Sequence, residues 1–479
     1  MVEESTAQRR PESAGHLLIA ILLWAALALV PCSQVQAEDE PEYLRAEAPI
    51  AGDLDEVQSV TERIGVTPGS WLREYSPFRP RLARLFPELR GQILPPRNQP
   101  FLDDTRISVR PRFYYRNVEG WNTPASKVAA LGGSIAVESG WLQELLRVSL
   151  VGYTSQRLHG SGERGFTGLL DDNQQGYSVL GEAFTELKLG HSSFFAGRAR
   201  IDAPFINAQD IRMTPNTFEG VGIRSLAVEN LQVSAAYISR IKFRNSIDFV
   251  PMSKHAGTTD KERGVSLIGL RYNFSDDFHV GLSEQYGWDM FNTLYLDSEK
   301  LFQLTDELDL RVGAQFTDQR STGQELLGSF STQTAGVKAA LGYGGLITTA
   351  SATTTASGSS ILKPWGGTPS YHSAMIADFD RAGEDSIRLD TSFDFSSLGI
   401  NGLSADINWL SGRTPDDGRN ASPDQQEINY TLDYQPPIDF LENFWLRVRY
   451  AVNERDSTPG SSPTSREDFR IILNWSRTF

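Results

Sequence analysis

The sequence predicts an all-β protein: an 18-stranded antiparallel transmembrane β-barrel with long extracellular loops and short periplasmic turns. Three observations carry that expectation. Apolar and polar residues alternate with a period of two from about residue 105 to the end. The polar face of the alternating runs is repeatedly charged and bulky, which suits a wet lumen. Connections between the runs alternate between short and long, the asymmetry of a barrel with a periplasmic and an external rim.

The alternation is specific. Across residues 105–115, Ile107, Val109, Phe113 and Tyr115 share one face, and Arg106, Ser108, Arg110 and Arg112 the other. Leu308, Leu310, Val312 and Ala314 oppose Asp309, Arg311, Gly313 and Gln315. Leu446, Val448, Tyr450 and Val452 oppose Arg447, Arg449 and Ala451. In the last run, Ile471, Leu473, Trp475 and Phe479 oppose Arg470, Asn474, Ser476 and Thr478. Arg477 breaks the phase near the chain end, where its long stem can snorkel to an interface. Runs of about eight to eleven residues match a tilted strand crossing a bilayer. Aromatic residues at strand ends, as at Phe113–Tyr115, Trp475 and Phe479, suit the two interfaces. A soluble sandwich alternates too, so the charged face and the loop asymmetry decide between them.

Strands are expected near 105–116, 128–138, 145–156, 178–189, 193–200, 218–226, 230–243, 263–273, 276–286, 289–296, 307–317, 334–344, 346–356, 384–395, 402–412, 426–435, 443–452 and 468–478. That even number puts both barrel ends on the periplasmic side. The short connections are 190–192, 273–277, 344–345, 399–401 and 436–443; the long ones are roughly 157–177, 201–217, 244–262, 357–383 and 453–467. Closure is required, because an open edge in hydrocarbon strands backbone donors and acceptors at several kcal/mol each. Eighteen strands enclose a water-wide lumen unless loops fold in.

Composition agrees. The 479 residues carry a formal charge of −15, which argues against a nucleic-acid partner met through a broad cationic surface. Mean hydropathy is −0.33, and past the N-terminus no run reaches the ~20 apolar residues of a spanning helix. Aromatics (25 Phe, 15 Tyr, 9 Trp) and 41 glycines suit many short strands and tight turns.

The N-terminus reads as targeting. His16–Pro31 is an apolar run behind Arg9 and Arg10, followed by Val35-Gln36-Ala37, a small-residue cleavage pattern. Residues 1–37 are therefore expected to be a secretory signal, with a single membrane anchor as the plainer alternative. A lipoprotein site at Cys32 fits less well, because Pro31 stands where a small residue is wanted. Cys32 is the only cysteine, so the mature chain would have no disulfide and no thiolate metal site. Residues 38–100 are rich in Pro, Glu and Arg, with helical turns broken at Pro77, Pro80 and Pro87. They read as an N-terminal extension, either periplasmic or tucked plug-like into the barrel mouth; residues 101–479 are the barrel.

No catalytic constellation is expected. Among the six histidines, His159, His255 and His372 fall in predicted long loops, His191 in a turn, and His279 beside no nucleophile. No zinc-protease or phosphate-loop motif is present, so neither metal nor cofactor is called for. The acidic pairs Asp171–Asp172 and Asp276–Asp277 could meet a divalent cation, but solvated surface is the plainer reading.

Several stretches resemble the OprD family of outer-membrane porins from Gram-negative bacteria. The most specific is Arg212-Met-Thr-Pro-Asn-Thr-Phe-Glu-Gly220, similar to a family block in which a loop enters the next strand. Phe101–Asp104 leading to Arg112–Tyr115, Gly181–Phe184, Phe379–Glu384, Gly402–Asp406 and the terminal Phe479 also fit. The resemblance spans about 101–479. It implies an 18-stranded channel narrowed by its third and seventh loops, here 201–217 and 357–383. It also implies passage of small, often carboxylate-bearing solutes past a ladder of inward arginines, in a monomer or loose trimer. The departure is the stretch of about 60 residues ahead of the barrel, which family members usually lack.

On strand parity, the ladder candidates are Arg110, Arg112, Arg311, Arg388, Arg447, Arg449 and Arg470. Arginine forks can replace part of an anion's water shell while leaving binding weak enough for release. The alternative is that each pairs with a lumen acid such as Asp309 or Asp390 and merely stiffens the wall. On the narrowing loops the candidates are Asp202, Asp210 and Arg212, between Pro204 and Pro215, and Tyr371, Asp378 and Asp380, with Lys363 and His372 nearby. The expected function is passive, partly selective diffusion of small polar solutes of the carboxylate-bearing class: amino acids, small peptides or organic acids. The expected surroundings are outer-membrane lipid and lipopolysaccharide. A binding or adhesive barrel, and less readily a barrel hydrolase, are the alternatives.

Overall fold

The computed structural model describes residues 100–479 apart from 122, 161–164, 166, 260, 439–440, 442 and 458–462. The expected signal and extension at 1–37 and 38–100 therefore lie almost wholly outside the described residues.

Eighteen strands form one closed antiparallel sheet, each beside its neighbour in sequence. They are β1 Arg106–Gly120, β2 Thr123–Glu138, β3 Leu146–Gly160, β4 Tyr177–Leu189, β5 Ser192–Ala199, β6 Thr217–Val228, β7 Leu231–Lys242, β8 Val265–Ser275 and β9 Phe278–Gly287. The circuit continues through β10 Phe291–Gln303, β11 Leu308–Ser321, β12 Ser331–Tyr343, β13 Leu346–Thr355, β14 Asp385–Asp394, β15 Leu403–Arg413, β16 Gln425–Tyr434, β17 Trp445–Arg455 and β18 Thr464–Asn474. The ring shuts where β1 pairs β18, from Arg112 opposite Asn474 to Gly120 opposite Arg466. Past a break, Ser108 and Val109 pair Thr478 and Arg477, so the chain end completes the seam. Every expected strand is present, and nine of the eighteen are longer than the expected range.

Side-chain period decides what each face meets. Leu131, Ile135 and Val137 of β2, and Ile387 and Leu389 of β14, are exposed on the outer wall, where hydrocarbon would cover them. Aromatics collect at strand ends: Tyr272, Phe274 and Phe278 at the short-turn rim, with ring centroids 4.7 and 4.9 Å apart, and Tyr286 with Trp288 toward the long-loop rim at 5.1 Å. The inner face is polar and covered. In β17, Arg447, Arg449, Ala451 and Asn453 are buried; in β18, Asp468 and Arg470.

Loops do the covering. The connections 200–216 and 356–384 turn into the barrel, and 167–176 and 243–259 also contribute. Trp365 stacks on Phe291 of β10 at 5.1 Å, and its indole N–H donates to the Met252 carbonyl at 2.9 Å. Around them Phe184, Phe195, Ile201, Ile206, Phe218, Ile238 and Ile241 make an apolar core inside the barrel. Leu169, Leu170 and Met213 form a second core against Tyr114. Two connections at the long-loop end are nevertheless short, 121–122 and 288–290. His159, expected in a long loop, lies in β3.

Candidate functional site: an arginine-lined lumen

The seam strands carry the site. Their inward positions bring arginines from β1, β17 and β18 alongside loop 200–216, which crosses from β5–β6 to reach β1. Arg112 donates to both oxygens of Asp210, at 2.6 and 3.1 Å, to the Arg212 carbonyl at 2.6 Å and to Asn474 Oδ1 at 2.7 Å. Tyr114 O–H donates to the Ile211 carbonyl at 3.2 Å. One loop segment is thus pinned across the lumen by two β1 side chains.

Deeper in the wall, one carboxylate serves two guanidinium groups. Asp468 accepts from Arg470 at 2.7 and 3.0 Å and from Arg116, whose Nε lies at 3.1 Å. Arg116 also donates to the Thr167 carbonyl at 2.7 Å, and Arg470 to the Met375 carbonyl at 3.1 Å. Arg447 forks onto Asp433 at 2.6 and 2.7 Å and lies 4.5 Å from the Trp445 ring. Arg449 donates only to Thr431 Oγ1 at 3.1 Å and has no carboxylate partner among the described residues. Arg212 is similar: buried, it donates to the Ile211 carbonyl at 2.8 Å and forms no ion pair among the described residues. Burial first, then the guanidinium groups of Arg116 and Arg470, push its pKa well down, a measure of how poorly its charge is compensated. A guanidinium does not deprotonate in practice, so Arg212 stays a cation seeking an anion.

Arg112, Arg212, Arg447, Arg449 and Arg470 line one cavity, with Asp210 the only lining carboxylate among the described residues. Adding Arg116 and the supporting Asp433 and Asp468, six cations face three anions. An excess of positive charge in a partly desolvated, narrow space is worth more than at an open surface.

The other expected residues are placed elsewhere. Arg110 is exposed near the short-turn rim and does not line the cavity. Arg311 pairs with Glu299 at 3.4 Å, beside Lys338, which meets Glu299 at 2.5 Å on a different part of the wall. Arg388 pairs with Asp390 and donates to the Tyr371 and Ser373 carbonyls at 3.3 Å. It holds a loop. Asp202 is exposed, in a two-residue ladder pairing Asp202–Ala203 with Ile206–Asn207. Tyr371 is buried beneath Lys338, whose Nζ lies 5.1 Å from the ring. Asp378 and Asp380 share Lys363, with Asp378 at 2.8 Å, and Ser373 donates to Asp378 at 2.6 Å. Burial followed by repulsion from Asp378 outweighs Lys363 at Asp380 and lifts its carboxyl to about 6. At Asp378 burial is outweighed by Lys363 and Ser373, which lower it.

Loop 356–384 is fastened from several strands. Glu427 of β16 accepts the Ile376 and Ala377 N–H groups, both at 2.9 Å. His372, fully buried, meets the hydroxyls of Ser351 and Thr353 at 3.0 Å and Ser386 at 2.6 Å. Asn207 exchanges two bonds with Gly367, at 2.8 and 2.9 Å, locking the two inward loops together.

The model of the family described as "outer membrane porin, OprD family" matches residues 99–479. The chain belongs to the OprD family of outer-membrane porins. This porin is 22% identical over 422 residues to Porin D of Pseudomonas aeruginosa, covering 78% of this chain and 91% of that one. Its fold is similar to the crystal structures of OccK9 (OpdG) and OpdK from Pseudomonas aeruginosa. Their TM-scores are 0.72 and 0.70 and their identities 23% and 19%, covering 79% of this chain and all of each of those. OccAB3 of Acinetobacter baumannii is similar at TM-score 0.72 and 18% identity over 79% of the porin. The porin is therefore an outer-membrane transport protein, a channel and not an enzyme.

Parity reasoning missed Arg116, Asp468, Glu427 and the pairing partner Asp433. Arg116 has the same phase as Arg112, and Asp468 the same phase as Arg470, so the signal was present. What parity could not show was which side chains meet across the lumen.

Proposed function

We propose that this porin passes small solutes bearing a carboxylate, which binds weakly and repeatedly to the arginines of β1, β17, β18 and loop 200–216. The supporting observation is the cavity whose five guanidinium groups face one lining carboxylate, with Arg212 and Arg449 uncompensated. The arginines count despite a chain charge of −15, because Asp210, Asp433 and Asp468 around the cavity are already ion-paired, while these two cations have no carboxylate partner among the described residues. OpdK, a structure similar to this one, was determined with vanillate, itself a carboxylate. Arg110, Arg311 and Arg388 have a lesser part: the first at the rim, the others in the framework. Since one chain closes the ring, each lumen works alone, in a monomer or a loose trimer.

The test is conductance of the purified porin in planar bilayers under a salt gradient, with benzoate added as a small carboxylate. Anion-favouring reversal potentials and concentration-dependent block are expected. Cation selectivity without block would refute the reading. An adhesive role is disfavoured because loops 200–216 and 356–384 turn inward and do not project. A hydrolase is disfavoured because the one histidine in contact with serine hydroxyls, His372, is sealed from solvent and meets no carboxylate among the described residues.

A further inference from the structure

The short-turn rim presents an apolar face where the chain enters the barrel. The one-turn helix Pro100–Asp103 lies against connection 139–145, where the Gly140 N–H donates to the Phe101 carbonyl at 2.9 Å. Leu102, Leu142 and Leu145 are all exposed there. The connection is strained in presenting them: Gln143 and Glu144 have φ 51 and 60, a conformation that glycine or asparagine adopts with less strain.

Around that face the rim carries charge of one sign. Its strand connections, from 139–145 round to 435–444, hold eight carboxylates and no lysine or arginine, and the entering stretch 100–105 adds Asp103 and Asp104. Glu144, Glu229, Asp276, Asp306 and Glu307 are exposed, and none of the five forms an ion pair among the described residues. Asp277, by contrast, is taken by Lys300 at 2.5 Å.

The chain just ahead of the barrel has the opposite character. Residues 71–97 carry six arginines and two glutamates, in a chain whose formal charge is −15. Leu82, Leu85, Phe86 and Leu89 fall at i, i+3, i+4 and i+7, the spacing of one apolar face, and Arg81 and Arg84 lie off it. Reach is sufficient. Eighteen strands spaced about 4.8 Å and tilted about 40° enclose a ring about 35 Å across. Even at a helical rise of about 1.5 Å per residue, 71–97 spans about 40 Å from its junction at this rim.

We infer that residues 71–97 dock on the short-turn rim of their own barrel, as a tethered cap. Leu82, Leu85, Phe86 and Leu89 cover the face of Leu102, Leu142 and Leu145, and the arginines meet the acidic turns. The inference goes beyond the carboxylate reading and does not depend on it. The central cavity, with five guanidinium groups and one lining carboxylate among the described residues, repels a cationic plug, so the segment stays at the rim. Tethering holds it at an effective concentration on the order of mM, so individually weak contacts suffice. The charges are exposed and screened over about 10 Å at 0.1 M salt, so docking loosens as salt rises.

The experiment is limited trypsin proteolysis of the folded full-length porin in detergent micelles at low and high salt, scored as cleavage after Arg81, Arg84 and Arg90. At low salt the parent is expected to be cut about tenfold more slowly than E144Q/E229Q/D276N/D306N/E307Q, and high salt should remove most of that difference. L142Q/L145Q should lose protection at both salts, because apolar contact is not screened. Heat-modified migration on gels verifies that each variant is a folded barrel. Equal rates for the parent and the neutral-rim variant at low salt overturn the rim site. Protection that survives rim neutralisation, with single-channel conductance rising after trypsin, overturns it in favour of a plug inside the lumen. Protection that grows with porin concentration overturns it in favour of a neighbouring copy. Protection that needs added phosphatidylglycerol vesicles overturns it in favour of a lipid surface. Benzoate block plays no part in these readouts, so failure of the carboxylate reading is seen separately.

Discussion

Arg449 and Arg212 differ from the other cavity arginines in having no carboxylate to lean on among the described residues. That difference orders the effects of substitution. A charge-assisted hydrogen bond is worth about 1.5–3 kcal/mol, so Arg449→Gln should weaken carboxylate block about tenfold while leaving the barrel's stability unchanged. Arg447→Gln removes a cation and also leaves Asp433 unpaired, so it should shift selectivity toward cations as well. Dose–response curves of current block, read beside reversal potentials, separate the two. Equal behaviour of the two variants would contradict the distinction between compensated and uncompensated arginines. Most of these arginines could be named from period-two parity; the uneven sharing of acids could not, because Asp210 and Arg112 are 98 residues apart in sequence.

At the scale of elements, loop 356–384 is the part most exposed to pH. Burial first, then Arg388, push His372 from 6.5 down to about 3, so the docked loop favours the neutral ring. The docking contribution is complete above pH 6.5 and falls by about 1.4 kcal/mol per unit as the pH drops toward 3, since the released loop takes up a proton that the docked one refuses. Asp380 works the other way. Raised to about 6, it takes up its proton more readily when docked, so acidification from 6 toward 4 favours docking through this group. Asp380→Asn should therefore increase acid-induced current noise, and His372→Gln should flatten its pH dependence. Noise spectra between pH 4 and 8 give the answer; an Asp380→Asn porin whose noise rises less on acidification than the parent's would contradict the signs. The strands themselves were legible because lipid on one side and water on the other impose alternation. Their ends were not. β10 runs to Gln303 and β18 begins at Thr464, beyond the alternating core, where the wall leaves hydrocarbon and the pattern loses its cause. The inward packing of 167–170 also went unforeseen, because Leu169 and Leu170 pack on partners from other strands and carry no local period.

For the whole molecule, the ring is as secure as its seam. Deleting residues 464–479 removes β18 and leaves β1 and β17 with open edges, each unpaired group costing several kcal/mol in hydrocarbon; no heat-modifiable barrel should form. A milder test is Gly133→Val in β2. Its φ is +121, and a Cβ would lie 1.9 Å from the Arg110 carbonyl oxygen, so a lower unfolding temperature than for a valine at exposed Leu131 is expected. An unchanged transition would mean the β1–β2 ladder relaxes freely around that kink.

Between 371 and 377 the inward loop is held by its main chain as well: the amides of 376 and 377 and the carbonyls of 371, 373 and 375 make bonds that do not depend on which side chains follow. Bore and lining are thereby uncoupled. Amino acids at 374–377 can be exchanged wholesale while the aperture stays where it is, so randomising those four positions should yield well-formed pores with altered solute preference. A scaffold of this kind lets new nutrients be admitted through local edits, with no need to rebuild the gate.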